Sequence, residues 1–369
     1  MQSFTAELDR LRRLHRLRSL RLPSGIDFTS NDYLGLARHP ALREAVLVAL
    51  DDDAVVGAGG SRLLRGHHPA HAELEAFAAS FFGAERALYF GSGFVANFAL
   101  FTTLAERHDA VVFDERIHAS VKEGIHASPA KRYRARHNNL ESFADELKRA
   151  RENGARRLFI AVESVYSMDG DFAPLPGLSE LANRFEAILV VDEAHATGVF
   201  GTTGRGLGEG LQNARWITLH TCGKGLGVSG AIVCASAETI EYLINKARPF
   251  IYSTAPPPFL ARAVKRALQL IDEEPWRRKR VLKLAELAHR ELNGDTAFAG
   301  SQIVPVIIGD DEAALAVAEN VQQAGFDVRA IRPPTVPEGT SRLRVAINAL
   351  HSEDEIGALA AAIGAARRR

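Results

Sequence analysis

The chain has 369 residues, 46% of them hydrophobic and 24% charged, with 45 basic side chains against 45 acidic ones. Single cores stop growing at roughly 250–300 residues, so this length predicts two domains, and the balanced charge gives no bulk attraction for nucleic acid or an anionic membrane. Two cysteines, Cys222 and Cys234, exclude a disulfide framework and fit a reducing, cytoplasmic setting, and no apolar run approaches the roughly 18–20 residues of a membrane span.

At the N-terminus Leu8, Leu11, Leu14 and Leu17 fall at threes with arginines between them. This predicts an amphipathic surface helix docked on the body. Glu7 and Asp9 interrupt the positive charge that a transit peptide would carry. Short apolar strands then alternate with helical stretches: Arg86–Phe90, Ala110–Phe113, Leu158–Val162, Ile188–Val191, Trp216–His220 and Ala231–Cys234. Most are continuous Val, Ile, Leu and Phe runs, as expected of strands buried on both faces of a mostly parallel sheet with helices on each side. A long helical stretch from Pro257 to Asn293, broken near Pro275, leads into a smaller α+β unit. There Val304–Ile308 and Arg342–Asn348 read as strands, and Ala313–Ala324 and Glu353–Ala366 as helices, the last capped by Ser352. The expected division is an N-terminal segment over 1–35, a large domain over 36–265 and a small domain over 266–369.

Ligands of open parallel sheets bind outside the carboxyl ends of the strands, so the polar residues that follow each strand matter most. Gly91-Ser92-Gly93-Phe94-Val95-Ala96-Asn97 follows one strand and opens a helix, whose first N–H groups suit a phosphate. The same segment fits the dinucleotide pattern G-x-G-x-x-A with Asp114 some twenty residues on, which keeps a nicotinamide dehydrogenase open. Asp192 ends an apolar strand; it either caps the next segment or meets a ring N–H⁺, and His195 three residues later could reach the same ligand. Lys224 stands between Gly223 and Gly225 after another strand. A lysine desolvated there can form a Schiff base, whereas the spacing does not fit a P-loop.

His67, His68 and His71 resemble metal ligands, but a helix start at Pro69 accounts for the region and no metal is expected. His118 reads either as a satisfied polar histidine or as a planar group stacked on a ring. Arg342 and Arg344 share a strand face, normally a solvated one, although an inward arginine could hold a carboxylate. Cys222 reads as a small buried residue.

Asn31-Asp32-Tyr33-Leu34-Gly35-Leu36, Gly57-Ala58-Gly59-Gly60-Ser61-Arg62, Gly91-Ser92-Gly93-Phe94, Ser167-Met168-Asp169-Gly170-Asp171, Asp192-Glu193-Ala194-His195-Ala196-Thr197-Gly198, Thr221-Cys222-Gly223-Lys224-Gly225 and Pro334-Thr335-Val336-Pro337 occur in this order. As a set covering almost the whole chain they resemble the α-oxoamine synthases, pyridoxal 5'-phosphate (PLP) enzymes of fold type I, the aspartate aminotransferase-like fold. GAGGSR and IRPPTVP look most like the biotin-pathway branch of that family.

The resemblance implies an α/β fold with a large, mostly parallel sheet domain and a small α+β C-terminal domain. It implies that Lys224 is the Schiff-base lysine and general base, and that Asp192 pairs with the pyridinium nitrogen. His118 would stack on the ring, and His195 and Ser167 would meet the ring-side oxygen. Gly93, Phe94 and Thr221 would hold the phosphate, with Thr254 reaching it from the other subunit of a homodimer. Asn31 and Arg344 would hold the substrate carboxylate, and Thr335 would lie near the acyl group, with Arg18 or Arg21 a further contact. The implied reaction is decarboxylative condensation of L-alanine with a pimeloyl thioester, on coenzyme A or a carrier protein. The same family admits glycine or serine with other acyl groups, and a PLP-binding protein without catalysis is a remoter reading. One departure is that the segment before Asn31 is short where the family usually has an extra hairpin strand; another is Cys222 after Thr221.

Overall fold

The computed structural model describes residues 4–53, 55–210 and 215–368. Its strands, in chain order, are β1 (Ile26–Asp27), β2 (Arg86–Phe90), β3 (Ala110–Asp114), β4 (Lys131–Ala135), β5 (Leu158–Glu163), β6 (Ile188–Asp192), β7 (Trp216–Thr221), β8 (Ala231–Ala235), β9 (Ile303–Gly309), β10 (Phe326–Asp327), β11 (Arg329–Ile331) and β12 (Ser341–Ala346). The chain divides into two compact units, one of residues 34–166 and 172–279, the other of residues 1–33, 167–171 and 280–369. The expected edge at 265/266 would fall inside the helix Pro258–Glu273, whereas the division falls between Lys279 and Arg280, within the helix Trp276–Asn293.

The larger unit holds a seven-stranded sheet in the order β2-β8-β7-β6-β5-β3-β4. Strands β3 to β7 pair in parallel, and β8 is antiparallel to both β7 and β2. Alternate residues of one strand feed two cores. Val111, Phe113 and Phe159 pack with Leu100 and Phe101 on one face. Val112, Leu158 and Ile160 pack with Phe143 and Leu147 on the other. Burial on both faces is why these strands read as unbroken apolar runs.

Strand β4 escaped that signal because it lies at the sheet edge and alternates: Lys131, Arg132 and Arg134 are exposed while Tyr133 and Ala135 are buried. Charged side chains on an edge also discourage pairing with another chain. The parallel strands end, on one side of the sheet, in Asp114, Ala135, Glu163, Asp192 and Thr221. Asp192 and Thr221, both expected in the site, lie on that side.

In the smaller unit β11, β12 and β9 form an antiparallel sheet and β1 pairs in parallel with β10. Ser352 caps Glu353–Arg367 in a capping box, accepting from Glu355 N while Glu355 accepts from Ser352 N. The segment before residue 34 belongs here for a physical reason. Ala346 N donates to Phe28 O, Ala349 N donates to Tyr33 O, and His351 stacks on Phe28 at 4.0 Å.

The N-terminal helix runs over Phe4–Arg13, and none of its residues is buried. It therefore stops short of Leu14 and Leu17 and is not docked as its leucine spacing suggested. His15, in the left-handed region at φ 54°, lies just beyond it. Among the described residues no helix is long and apolar enough to cross a membrane.

Candidate active site

The helix Gly93–Leu104 starts directly after β2. Ser92 caps it by accepting from Val95 N at 3.2 Å. The first N–H groups of a helix have no intrahelical acceptor, so those of Gly93 and Phe94 are available to an anion. Gly93 is required by packing: a Cβ there would lie 2.6 Å from Thr221 Cγ2, at the end of β7. Thr221 in turn donates through Oγ1 to Ala194 O at 3.3 Å.

Asp192, at the end of β6, is buried. Its Oδ1 accepts from Ala194 N at 2.9 Å, which is the local capping role, and its Oδ2 accepts from Asn97 Nδ2 at 2.7 Å. The same amide nitrogen donates to Ser120 Oγ at 3.0 Å. Ser120 Oγ lies 2.8 Å from His118 Nδ1, and Ser120 N also donates to that nitrogen at 3.2 Å. An Nδ1 that accepts from a backbone N–H leaves the proton of the neutral ring on Nε2. Burial holds His118 below the ordinary histidine range; the Asp192 carboxylate opposes that, and the Lys224 and Lys122 cations add to it.

His195 is buried three residues after Asp192. Lys224, partly buried, sits in the turn between β7 and β8. That turn is tied by Gly227 N to Lys224 O and by Val228 N to Cys222 O, both at 2.8 Å. A Cβ on Gly225 would lie 2.5 Å from Thr197 O, so glycine lets the lysine loop close on the sheet. Beneath it, burial pushes the Cys222 thiol up, which disarms it as a nucleophile. Thr254 is exposed and bridges to Ser61.

Four expected site residues belong to the smaller unit. Arg344, on β12, donates through Nε to Ser167 O at 2.6 Å and through Nη2 to Tyr33 Oη at 3.3 Å. Tyr33 Oη donates to Asn31 Oδ1 at 2.9 Å. Arg342 pairs with Asp169. Both arginines are therefore buried, at 4% and 8% exposure, and the solvated face expected for them is absent. Arg18 Nη2 donates to Thr335 Oγ1 at 3.3 Å.

The competing nicotinamide reading fails on geometry. Its acidic residue, Asp114, is buried and already accepts from Arg116 N, Asn138 N and His137 Nδ1. Among the described residues its strand, β2, pairs only with the antiparallel β8, so it does not open a parallel βαβ unit. The histidines near residue 70 serve the fold: His68 caps Pro69–Phe82, and His71 Nε2 donates to Pro256 O at 2.8 Å.

Sequence reasoning gave no role to Asn97, Ser120 or Tyr33. Only Asn97 left a signal, a polar residue in the apolar helix start Gly93-Phe94-Val95-Ala96-Asn97-Phe98-Ala99.

A phosphorylated pyridine aldehyde fits these residues. There is a glycine-walled helix start for the phosphate and a buried carboxylate for a ring N–H⁺. Asn97 Oδ1 is buried without a hydrogen-bond partner among the described residues, so Asp192 and Ser120 alone fix the amide.

The chain belongs to the aminotransferase class I and II family, whose model matches residues 23–363. It is 44% identical over 368 residues to the 8-amino-7-oxononanoate synthase of Chromobacterium violaceum, covering 96% of this chain and 94% of that one. The Geobacter sulfurreducens enzyme of the same name is 41% identical, with 98% and 97% covered. A serine palmitoyltransferase from S. paucimobilis with bound PLP-myriocin superposes with a TM-score of 0.90 at 28% identity, covering 99% of this chain and 96% of that one. An 8-amino-7-oxononanoate synthase from Francisella tularensis gives 0.77 at 28% identity, with 93% and 97% covered. The fold is accordingly that of the PLP-dependent type I transferases.

Proposed function

We propose that this chain is a PLP-dependent acyltransferase that condenses L-alanine with a pimeloyl thioester, giving 8-amino-7-oxononanoate, carbon dioxide and a free thiol in biotin biosynthesis. The observation that carries the reading is identity of 41–44% over nearly the whole length with synthases of that name. The serine palmitoyltransferases share the fold at only 28–29% identity, so they inform the architecture more than the substrate.

Bound PLP supplies an electron sink for the pair released when a bond to an amino-acid α-carbon breaks. Lys224 would hold it through Nζ and, with that nitrogen free as an amine, would take the α-proton of the substrate. Asp192 would keep the ring nitrogen protonated, its carboxylate being held by Asn97 and Ala194 N. His118 would stack on the ring as a neutral imidazole, and His195 and Ser167 would meet the ring-side oxygen. Gly93 and Phe94 N–H would hold the phosphate, joined by the Thr221 hydroxyl on turning from Ala194 O. Asn31 and Arg344 hold the alanine carboxylate until it leaves as carbon dioxide. The bond made joins the alanine α-carbon to the acyl carbonyl carbon; the C–S bond breaks with its pair on sulfur, which takes a proton from solvent, and after the carboxylate carbon leaves as carbon dioxide Lys224 returns its proton to the α-carbon. Arg18, through its contact with Thr335, is our choice over Arg21 for the acyl end.

The active form is a cytoplasmic homodimer in which Thr254 serves the partner's phosphate site. Exposed Val56, Leu63, Leu64 and Tyr252, near the Ser61–Thr254 bridge in the chain, support a second copy there.

The test is thiol release by the PLP-loaded protein with L-alanine, glycine or L-serine against pimeloyl, shorter and longer acyl thioesters. Preference for L-alanine and pimeloyl is expected. Preference for glycine or serine overturns the substrate assignment.

A further inference from the structure

We propose that Tyr33 is a positioning residue for the carboxylate of the amino-acid substrate, because its hydroxyl decides which atoms Asn31 and Arg344 have left to offer. This rests on the roles given to Asn31 and Arg344 above and adds a determinant of specificity to them.

Tyr33 is fully buried, and its backbone carbonyl is anchored by Ala349 N at 2.8 Å. Its hydroxyl stands between the two residues. A guanidinium can only donate, so the hydroxyl oxygen accepts from Arg344 Nη2 at 3.3 Å, while its proton goes to Asn31 Oδ1 at 2.9 Å. The hydroxyl therefore orients the amide: Oδ1 faces Tyr33 with one lone pair engaged, and Nδ2 points to the other side.

Arg344 spends Nε on Ser167 O and one Nη2 proton on Tyr33. What these bonds leave over is chiefly donors: the Asn31 NH2, both protons on Arg344 Nη1 and one on Nη2, against a single lone pair on the Oδ1 that faces Tyr33. An anionic carboxylate accepts from every one of these. A carboxamide brings an NH2 that would meet another donor, and loses the charge that the guanidinium pairs with. Tyr33 thus makes the pair selective for an ionised carboxylate while standing behind both residues.

The experiment titrates PLP-loaded protein with L-alanine and, separately, L-alaninamide, following the change in cofactor absorbance. Tyr33→Phe removes only the hydroxyl. The expected result is an L-alanine Kd raised about tenfold, with that of L-alaninamide within about twofold of the parent. An unchanged L-alanine Kd, or an equal loss for both ligands, overturns the proposal.

Asn31→Asp gives a second reading if Tyr33→Phe does not fold. It keeps an acceptor for the Tyr33 hydroxyl but removes the donors, so L-alanine affinity falls; an unchanged Kd overturns the proposed amide orientation. Arg344→Lys and Asn31→Ala separate the two levels of the argument. If neither alters the ratio of L-alanine to L-alaninamide affinity, the carboxylate assignment itself is wrong. If both collapse the ratio and Tyr33→Phe preserves it, only the role of Tyr33 is wrong.

Discussion

Asn97 Nδ2 lies 2.7 Å from Asp192 Oδ2, and the same nitrogen lies 3.0 Å from Ser120 Oγ. One buried amide thereby ties the carboxylate at the end of β6 to the serine that orients His118. Losing a hydrogen bond to a charged group costs about 1.5–3 kcal/mol when the partner stays buried. Asn97→Ala is therefore expected to weaken PLP binding by about tenfold or more, measured by cofactor release on dilution and gel filtration. Retention of parental affinity would show that Asp192 does not need this donor.

Lys224 makes the sharpest prediction. The PLP-loaded protein should show a visible band that borohydride bleaches, and Lys224→Ala should lack it. Turnover should fall by about 10³-fold or more, since the variant loses both the covalent hold and the general base. A bleachable band in the variant would move the assignment to another lysine.

Gly93 and Thr221 form a steric pair. Gly93→Ala sets a methyl 2.6 Å from Thr221 Cγ2, an overpacking expected to cost about 1–3 kcal/mol and to loosen the phosphate site. Thr221→Ser removes that methyl and keeps the hydroxyl. The double variant should recover thermal stability and PLP affinity relative to Gly93→Ala alone. Absence of recovery would place the strain elsewhere.

The pH dependence of stability follows from buried histidines. Burial, helped by the Arg62 charge, pulls His71 down to about 4, and burial alone pulls His220 to about 3, against 6.5 for the unfolded imidazole. Above pH 6.5 both states hold these rings neutral and nothing is lost. Between pH 6.5 and about 4 the unfolded chain binds the two protons and the folded one does not, so stability falls as pH falls.

Glu193 runs the other way. Burial raises it from 4.5 to about 7, so between pH 4.5 and 6.5 the folded state alone holds its proton. Among these three groups the unfolded state still binds the net extra proton, and the slope is about 1.4 kcal/mol per pH unit in that window. His220→Gln should flatten the slope in urea unfolding measured from pH 7 to 5. An unaltered slope would mean that His220 titrates normally when folded.

Much of this protein was legible in local signals. Strands β3, β5, β6, β7 and β8 announced themselves as apolar runs because burial on two faces leaves no polar alternation. Ser352 and Pro69 marked helix starts because capping chemistry lies within a few residues of the cap. Lys224, Asp192 and Gly93 could be singled out because each directly follows such a run. What the chain order could not contain was the choice of partners. Asn97 meets Asp192 across 95 residues, and Tyr33 meets Arg344 across 311. No periodicity encodes such a pairing. It exists only once parallel strands bring their carboxyl ends to one side of the sheet and the segment before residue 34 lies along β12. The antiparallel β8, the charged edge strand β4 and the burial of Arg342 and Arg344 likewise depend on neighbours distant in sequence. Residue type and local spacing determined which groups could do the chemistry; tertiary packing decided which atoms of those groups remain to do it.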